Sequence, residues 1–282
     1  MNQVMLAEER MQRAAGEGRI AVRHHLGRTR LDTFYQQGAA KIRVPRHAGR
    51  DDLEAVIINT AGGLTGGDRL DWSARAGPGA TLTLTTQACE KVYKSSGGMA
   101  QVRVSLEAAE GARLNWLPQE TILFDRAQLS RNLEADLAPD ASLLAVEAVI
   151  FGRQARGETV REAVLADRWR IRQGGRLIHG EDLRVDGDVS AALALPAVTG
   201  GGIAVATVLF VDAGAGLHPD RLRALIAGHD GVRAGASFWH VGTSGKLLAR
   251  FAARDGYSLR KALVPALDLL TGQARLPKMW SF

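Results

Sequence analysis

The chain has 282 residues, of which 46% are hydrophobic and 23% are charged. This composition is typical of a folded globular protein and excludes a disordered or collagen-like chain. Lysine and arginine exceed aspartate and glutamate by six (36 minus 30), and an acidic protein partner explains this scattered positive charge as well as a nucleic acid does.

Cysteine content and apolar segments indicate the compartment. Cys89 is the single cysteine, so the chain cannot form an intramolecular disulfide and a reducing compartment is favoured. The first residues have no apolar signal-peptide core, and the longest apolar run, residues 203–211, is too short to span a bilayer. We therefore expect a soluble, cytoplasmic protein with no membrane partner.

The amino-terminal segment gives few structural signals. Residues 1–18 are polar without clear periodicity, and we predict a disordered or frayed tail there. No linker-like stretch divides residues 19–282, so these residues are predicted to form one domain. His24 and His25 are neighbours, and on a strand they would point to opposite faces, which disfavours a shared metal.

A glycine-rich block lies between two predicted strands, residues 55–58 and 70–76. Its four glycines fall within six positions and are followed at once by Asp68; they are Gly62, Gly63, Gly66 and Gly67. Glycine accepts positive φ and close approach of other chain segments, so the block is predicted to be a structural loop. It lacks the spacing of a phosphate-binding loop, and Asp68 is either a turn residue or a functional carboxylate.

Period-2 alternation dominates residues 53–211 and predicts a mainly β protein. In one such segment, Leu129, Leu133 and their apolar neighbours alternate with polar residues that include Arg131. Gly174-Gly175 is typical of a tight hairpin. No repeat of 20 to 50 residues is visible, so a regular repeat solenoid is not supported. We expect stacked or coiled β-sheets forming one elongated unit.

Helical patterns occur only in the last third. One begins at Pro219 and is stopped by Gly228; the other begins at Ser258 and ends at Thr271-Gly272. Pro265 lies inside the second pattern and is expected to kink that helix or to delay its start. The prediction is two α-helices in the carboxyl-terminal third.

Two acidic residues stand beside apolar strand residues. Glu147 interrupts the apolar run 143–151, where a buried carboxylate needs a partner, a metal or water. The alternative is that Glu147 faces solvent from a half-buried strand. Glu181 follows another apolar pair and has His179 two residues before it, on the same face of a strand. Carboxylate and imidazole groups are possible ligands for a divalent transition-metal ion.

Six further segments accompany the Gly-Gly-x-x-Gly-Gly-Asp block: Phe34-Tyr35, residues 77–80, residues 85–95, residues 116–122, Phe151-Gly152-Arg153 and residues 277–280. Together and in this order they resemble the family of urease accessory protein UreD (UreH in some systems), whose members carry the same glycine block. Thr60 and Lys94 depart from the family pattern, which more often has proline and arginine there.

This resemblance implies a non-catalytic scaffold for assembly of the urease nickel centre. Its expected partners are the urease apoprotein, UreF and, through UreF, the GTPase UreG. No tightly bound cofactor is expected; nickel would be in transit through an internal acidic passage. Matching the family's motifs to this sequence places Asp68, Glu147 and Glu181 on that passage.

The carboxyl-terminal tail is a predicted partner-binding segment. Aromatic residues and methionine near a terminus are typical interface anchors. The alternative is that the tail packs back onto its own sheet. The predicted partner-binding residues are Leu276, Met279, Trp280 and Phe282.

Two other functions compete with the scaffold. One is a hydrolase that uses Cys89 as nucleophile, although a lone cysteine in an alternating strand is more often a small buried residue. The other is a basic nucleic-acid-binding β protein, for which the sequence has no recognition motif. We expect neither catalysis nor nucleic-acid binding.

Overall fold

Two β-sheets form the framework in the computed structural model, which describes residues 13–45, 50–153, 157–272 and 274–281. The strands are β1 (Ala15–His25), β2 (Arg28–Gly38), β3 (Ala40–Arg43), β4 (Leu53–Asn59), β5 (Arg69–Ala76), β6 (Thr81–Thr86), β7 (Glu90–Val92), β8 (Ala100–Ala108), β9 (Arg113–Leu117), β10 (Thr121–Leu123), β11 (Gln128–Leu137), β12 (Ser142–Phe151), β13 (Glu162–Gln173), β14 (Arg176–Asp188), β15 (Ala204–Asp212), β16 (Val232–Val241) and β17 (Ser244–Ala253). The helices are α1 (Val189–Ala194), α2 (Pro219–Ile226) and α3 (Gly256–Thr271). The mainly β prediction is confirmed.

From β4 to β13 the chain alternates between the sheets, so each turn adds a strand to both. The first sheet has the order β14-β13-β11-β8-β5-β1-β2, and the second is built on β16-β17-β15-β12-β9-β6-β4-β3, with β7 and β10 attached beside β12. The central neighbours β5, β8, β11 and β13 are parallel, as are β4, β6, β9 and β12. The stacking is solenoid-like although the sequence has no visible repeat.

Register explains how a coil forms without a sequence repeat. Trp72, Val104, Leu133 and Trp169 are aligned on successive strands of the first sheet, and all four are buried. What recurs from turn to turn is burial at the same position, while the residue type changes. A repeat of pattern rather than of residue identity is not detected by comparing the sequence with itself.

Two apolar cores flank the second sheet. Leu143 and Val149 of β12 belong to the core between the sheets, whereas Leu144 and Val146 belong to the core beneath α2 and α3. Because both faces of β12 are covered, its sequence is a nearly continuous apolar run. Glu147 has the parity of Leu143 and Val149, which places it between the sheets.

Three elements differ from the predictions. The strand β1 begins at Ala15, inside the segment predicted as a tail, and pairs with β5 from that residue; residues 1–12 lie outside the described part. The helix α1 was not predicted; Asp188 caps it by accepting a hydrogen bond from the Ala191 amide. The helix α3 begins at Gly256 and continues through Pro265, so its start is not delayed.

No helix in the described residues is long and apolar enough to cross a membrane.

Candidate functional site

The glycine block forms a loop whose backbone is held by Asp68. This side chain is 4% exposed, and its two oxygens accept hydrogen bonds of 2.8 Å from the amides of Ala14 and Thr65. A Cβ on Gly66 would overlap Ser95 Oγ and the carbonyl oxygens of Gly97 and Gly98. These contacts give Asp68 and the glycines a packing role at the start of β5.

An ion-paired triad lies between the two sheets. Arg131 on β11 and Asp167 on β13 are neighbours in register, and Arg131 Nη2 lies 2.5 Å from Asp167 Oδ2. Glu147 reaches Arg131 Nη1 from the second sheet, and its other oxygen accepts a hydrogen bond of 2.8 Å from Trp116 Nε1. Trp169 Nε1 donates to Asp167 Oδ1 at 3.2 Å. All three charged residues are at most 5% exposed, so Glu147 does not face solvent.

Strand parity places Arg131 and Asp167 on the core-facing side of their strands. Arg131 was assigned to the polar face of its strand, yet it has the parity of Leu129 and Leu133, and the structure buries it with them. Asp167 likewise has the parity of Leu165 and Trp169. The sequence signal for this pair was a charged residue at an otherwise apolar, core-facing position on each of two neighbouring strands.

The triad has one guanidinium for two carboxylates. Burial raises the pKa of Glu147 to about 7, and the nearby Asp167 charge acts in the same direction, against the opposing effects of Arg131 and Trp116. Burial lowers the pKa of Arg131, but the two carboxylates outweigh this and the net shift is upward. The cluster therefore takes up a proton at Glu147 near neutral pH while Arg131 stays charged.

A pH-dependent loss of stability follows from Glu147. A carboxyl whose pKa rises from 4.5 to about 7 on folding binds its proton more tightly in the folded chain. Its stabilising effect is present below about 4.5 and is lost as the pH rises through about 7. As the pH rises from about 5 to about 8, we expect the free energy of unfolding to fall in the unmodified protein and to fall less in the Glu147→Gln variant, which has no carboxyl at this position. Urea titrations at several pH values measure this, and parallel curves would contradict it.

Glu181 is the centre of a second polar cluster beside the triad. Arg250 Nη2 lies 2.9 Å and His179 Nε2 lies 3.4 Å from Glu181 Oε2. Burial raises the pKa of Glu181, but His179 and Arg250 outweigh this and hold it below its ordinary value. Thr207 donates to Glu181 Oε1 at 3.4 Å and is paired with Glu147 in the β12–β15 register. Thr207 thus contacts Glu181 and lies in register with Glu147, whereas no described contact links Asp68 to either carboxylate.

A cavity of about 570 Å³ extends from the triad to the surface. Its buried part is lined by Arg131, Glu147 and Asp167; its exposed part is lined by residues 196–198, Arg233 and Arg250. No group of three histidine, cysteine, aspartate or glutamate side chains within the described ranges is arranged to hold a metal ion. Both oxygens of Glu147 are engaged, one by Arg131 and the other by Trp116. What the arrangement offers is a polar lining between apolar sheets.

Cys89 is poorly suited to nucleophilic catalysis. Burial and the adjacent Glu120 raise the pKa of its thiol to about 12. The thiol donates to Glu120 Oε2 at 3.4 Å. Since the thiolate is the nucleophile, a thiol that stays protonated at neutral pH disfavours the hydrolase hypothesis.

The carboxyl-terminal tail packs onto its own sheet. Trp280 is fully buried, and its Nε1 donates to the Leu117 carbonyl at 3.1 Å. Arg260 stacks 5.0 Å from the Trp280 ring and donates to the Met279 carbonyl at 2.8 Å. Leu276 is half-buried and Met279 is 39% exposed, while Phe282 lies outside the described residues. These contacts favour the alternative for Trp280 and leave Met279 accessible.

The amino-acid sequence matches one protein family over nearly its whole length. The model of the UreD urease accessory protein family matches residues 14–281. A protein of Rhizobium rhizogenes named urease accessory protein UreD is 52% identical over 99% of both chains. A protein of the same name from Rhizobium leguminosarum bv. viciae is 52% identical over 98% of both chains. Another, from Mesorhizobium japonicum, is 53% identical over 96% of this chain and 95% of its own length. The chain therefore belongs to the UreD family of urease accessory proteins.

Proposed function

We propose that this chain is a urease-maturation scaffold that binds the urease apoprotein and the UreF–UreG pair, with UreG held through UreF. The observation that carries the proposal is the family match over nearly the whole chain, with relatives at about half identity that are named as urease accessory proteins. The raised pKa of the Cys89 thiol further supports a role without catalysis. The site of action is the cytoplasm.

The finer part of the proposal is that nickel passes through the chain as cargo. Glu147 and Glu181 are buried carboxylates, and Glu147 lines a cavity that reaches the surface. Thr207 donates a hydrogen bond to Glu181 and lies in register with Glu147. Oxygen ligands bind borderline metals less tightly than thiolates do, which suits transit rather than storage. Asp68 is retained as a third candidate, although its oxygens already hold two backbone amides.

An ion pair between an exposed and a buried side chain lies at the mouth of the cavity. Arg250 is exposed while its partner Glu181 is buried, so the guanidinium can turn toward solvent without exposing the carboxylate. Such a movement leaves Glu181 and His179 without their cation and creates an oxygen and nitrogen donor pair. In this proposal a metal ion enters the pair only when Arg250 has moved.

The experiment compares assembly with nickel loading. Urease apoprotein, the UreF–UreG pair and this chain are combined with Ni²⁺, and complex formation, bound nickel and urease activity are measured on the same samples. Glu147→Gln and Glu181→Gln should leave the complex intact and lower bound nickel several-fold, with a larger loss in the double variant. Glu134→Gln on the exposed face of β11 is the matched control.

Three results would contradict parts of this proposal. Failure of the unmodified chain to bind urease or UreF–UreG would remove the scaffold function. Full nickel loading in both single variants and the double variant would remove the passage. Loss of nickel only in samples whose complex has dissociated would make Glu147 and Glu181 structural residues. Asp68→Asn, tested beside them, separates a passage role from its loop contacts by the same criteria.

A further inference from the structure

A polar cavity of about 490 Å³ lies where β6 and β9 begin and the chain leaves α3. Its walls include Arg113 and Arg275, together with residues 50–52 from the segment before β4. It shares no lining residue with the cavity beside the triad. It is therefore separate from the residues proposed to pass nickel.

The side chain of Arg113 is held in place at this cavity. Its Nη2 donates to the Leu270 carbonyl in the last turn of α3 at 2.5 Å, and its Nε donates to Asn115 Oδ1 at 3.3 Å. The guanidinium carbon also lies 5.6 Å from the centre of the Phe210 ring. These contacts engage two of the three guanidinium nitrogens and leave Nη1 to donate to a ligand. A planar guanidinium held in this way is pre-organised to bind an oxyanion.

Arg113 has no carboxylate within ion-pairing distance among the residues that the structure describes. Burial lowers the pKa of Arg113, and the charge of Asp212 opposes this effect. The oxygens of Asp212 are themselves engaged by Ser142 Oγ and the Gly214 amide. Desolvation destabilises a half-buried cation that has no close anion, so a bound anion would stabilise Arg113.

The acidic residues at the cavity already have cationic partners. Asp52 forms an ion pair with Arg50, whose Nε lies 2.8 Å from Asp52 Oδ1. Asp51 Oδ1 lies 3.4 Å from Arg28 Nε. Arg275 is exposed and forms no ion pair with any residue in the described ranges. The lining therefore offers a ligand two guanidinium groups that have no carboxylate partner in the described chain.

We propose that this cavity binds a phosphate group, with Arg113 and Arg275 as its two cationic ligands. Guanidinium groups bind phosphate oxygens through paired, charge-assisted hydrogen bonds. Two unpaired guanidinium groups match the two negative charges of phosphate above neutral pH, whereas a carboxylate supplies only one. The bound group would join the first residue of β9 to the segment that leads from α3 to Trp280. The site is additional to the proposed scaffold function and does not depend on it.

The test measures binding of sodium phosphate to the purified full chain at about pH 8, where phosphate is mostly doubly charged. Calorimetric titration gives the dissociation constant, and the thermal midpoint is compared with sodium chloride of equal ionic strength. Phosphate should raise the midpoint above the chloride reference, because a ligand that binds only the folded chain stabilises it. We expect Arg275→Glu to weaken phosphate binding by about tenfold or more, since a like charge replaces a charge-assisted donor.

Two other variants separate ligand binding from general effects. Lys278→Glu is the matched control: it makes the same change of charge at an exposed residue of the same tail that does not line the cavity, and phosphate binding should change by less than about twofold. Arg113→Gln should abolish phosphate binding. It also weakens the contact with the end of α3, so its midpoint without phosphate should fall. If Arg113→Gln does not fold, the comparison of Arg275→Glu with Lys278→Glu still decides the proposal.

Three results would overturn the phosphate site. The first is that the unmodified chain does not bind phosphate. The second is equal stabilisation of the unmodified chain and the Arg275→Glu variant, which would make the effect a general action of the salt. The third is sodium acetate binding as tightly as phosphate, which would assign the cavity to carboxylates.

A second phosphate probe identifies the source of the group. Glycerol 3-phosphate is titrated beside inorganic phosphate under the same conditions. Tighter binding of the ester, lost in Arg275→Glu, supports the proposal with a small phosphorylated molecule as the ligand. Equal or weaker binding of the ester supports it with the free ion as the ligand.

Discussion

Replacement of Arg131 by methionine is expected to lower the free energy of unfolding by about 3–5 kcal/mol, the usual cost of breaking a buried ion pair. The substitution leaves Glu147 and Asp167 between the sheets without their shared cation. Because protonation relieves uncompensated buried carboxylates, the loss should be larger at about pH 8 than at about pH 5. Denaturant titration followed by far-ultraviolet circular dichroism measures both effects.

Two further variants isolate the cause. Arg168→Met is the matched control, because Arg168 is exposed on the neighbouring row of β13 and pairs with Asp182 only at 3.8 Å; we expect a change of at most about 1 kcal/mol. Adding Glu147→Gln and Asp167→Asn to Arg131→Met removes the unpaired charges and should restore much of the lost stability. If Arg131→Met is as stable as the Arg168→Met control, the triad does not stabilise the interior.

Replacement of Trp280 by alanine is the second large effect, with an expected loss of about 3–5 kcal/mol. The indole is fully buried, so its removal leaves a cavity and an unpaired Leu117 carbonyl. It also removes the ring on which Arg260 stacks. The thermal midpoint and denaturant titration of the purified variant measure the loss.

Met279→Ala is the control for the tail. Met279 is adjacent in sequence but 39% exposed, and its replacement should change stability by less than about 0.5 kcal/mol. The pair of variants also decides the role of the tail in partner binding. A Trp280→Ala protein that keeps its stability and loses UreF binding would make Trp280 an interface anchor and would contradict the packing role.

The interior charges are difficult to explain by stability alone. A buried ion pair is often no more stabilising than apolar residues of the same size, because desolvation offsets the attraction between the charges. Here Arg131 and Asp167 continue an inward row that holds Leu70 on β5 and Val102 on β8, and Glu147 lies opposite Thr207 on β15. Residues that do not suit an apolar core, such as buried charges, are concentrated at functional sites. The position of the triad beside the cavity is the structural reason to test these residues for nickel loading.

Local pattern was sufficient to predict most elements of this protein. The alternation of β8 and β13 gave strands with one buried face, and the apolar stripe of α3 gave a helix that ends at Thr271. The glycine block was recognisable as a loop because its conformational requirement is carried by its own residues, as at Gly63, which has φ +149°. The short helix α1 was not predicted, because six residues contain too few turns to establish a helical period.

The sequence by itself determined the fold class, the family and the glycine loop, because each depends on residues close together along the chain or on an ordered set of motifs. Only the tertiary structure decided that Glu147 meets Arg131 and Asp167, and that Glu181 meets Arg250. It also decided that Trp280 is buried against Leu117. These contacts join residues that are far apart in the chain, and which residues meet is set by strand register, by the stacking of the two sheets and by the packing of the tail. Neither is encoded in the spacing of any one segment.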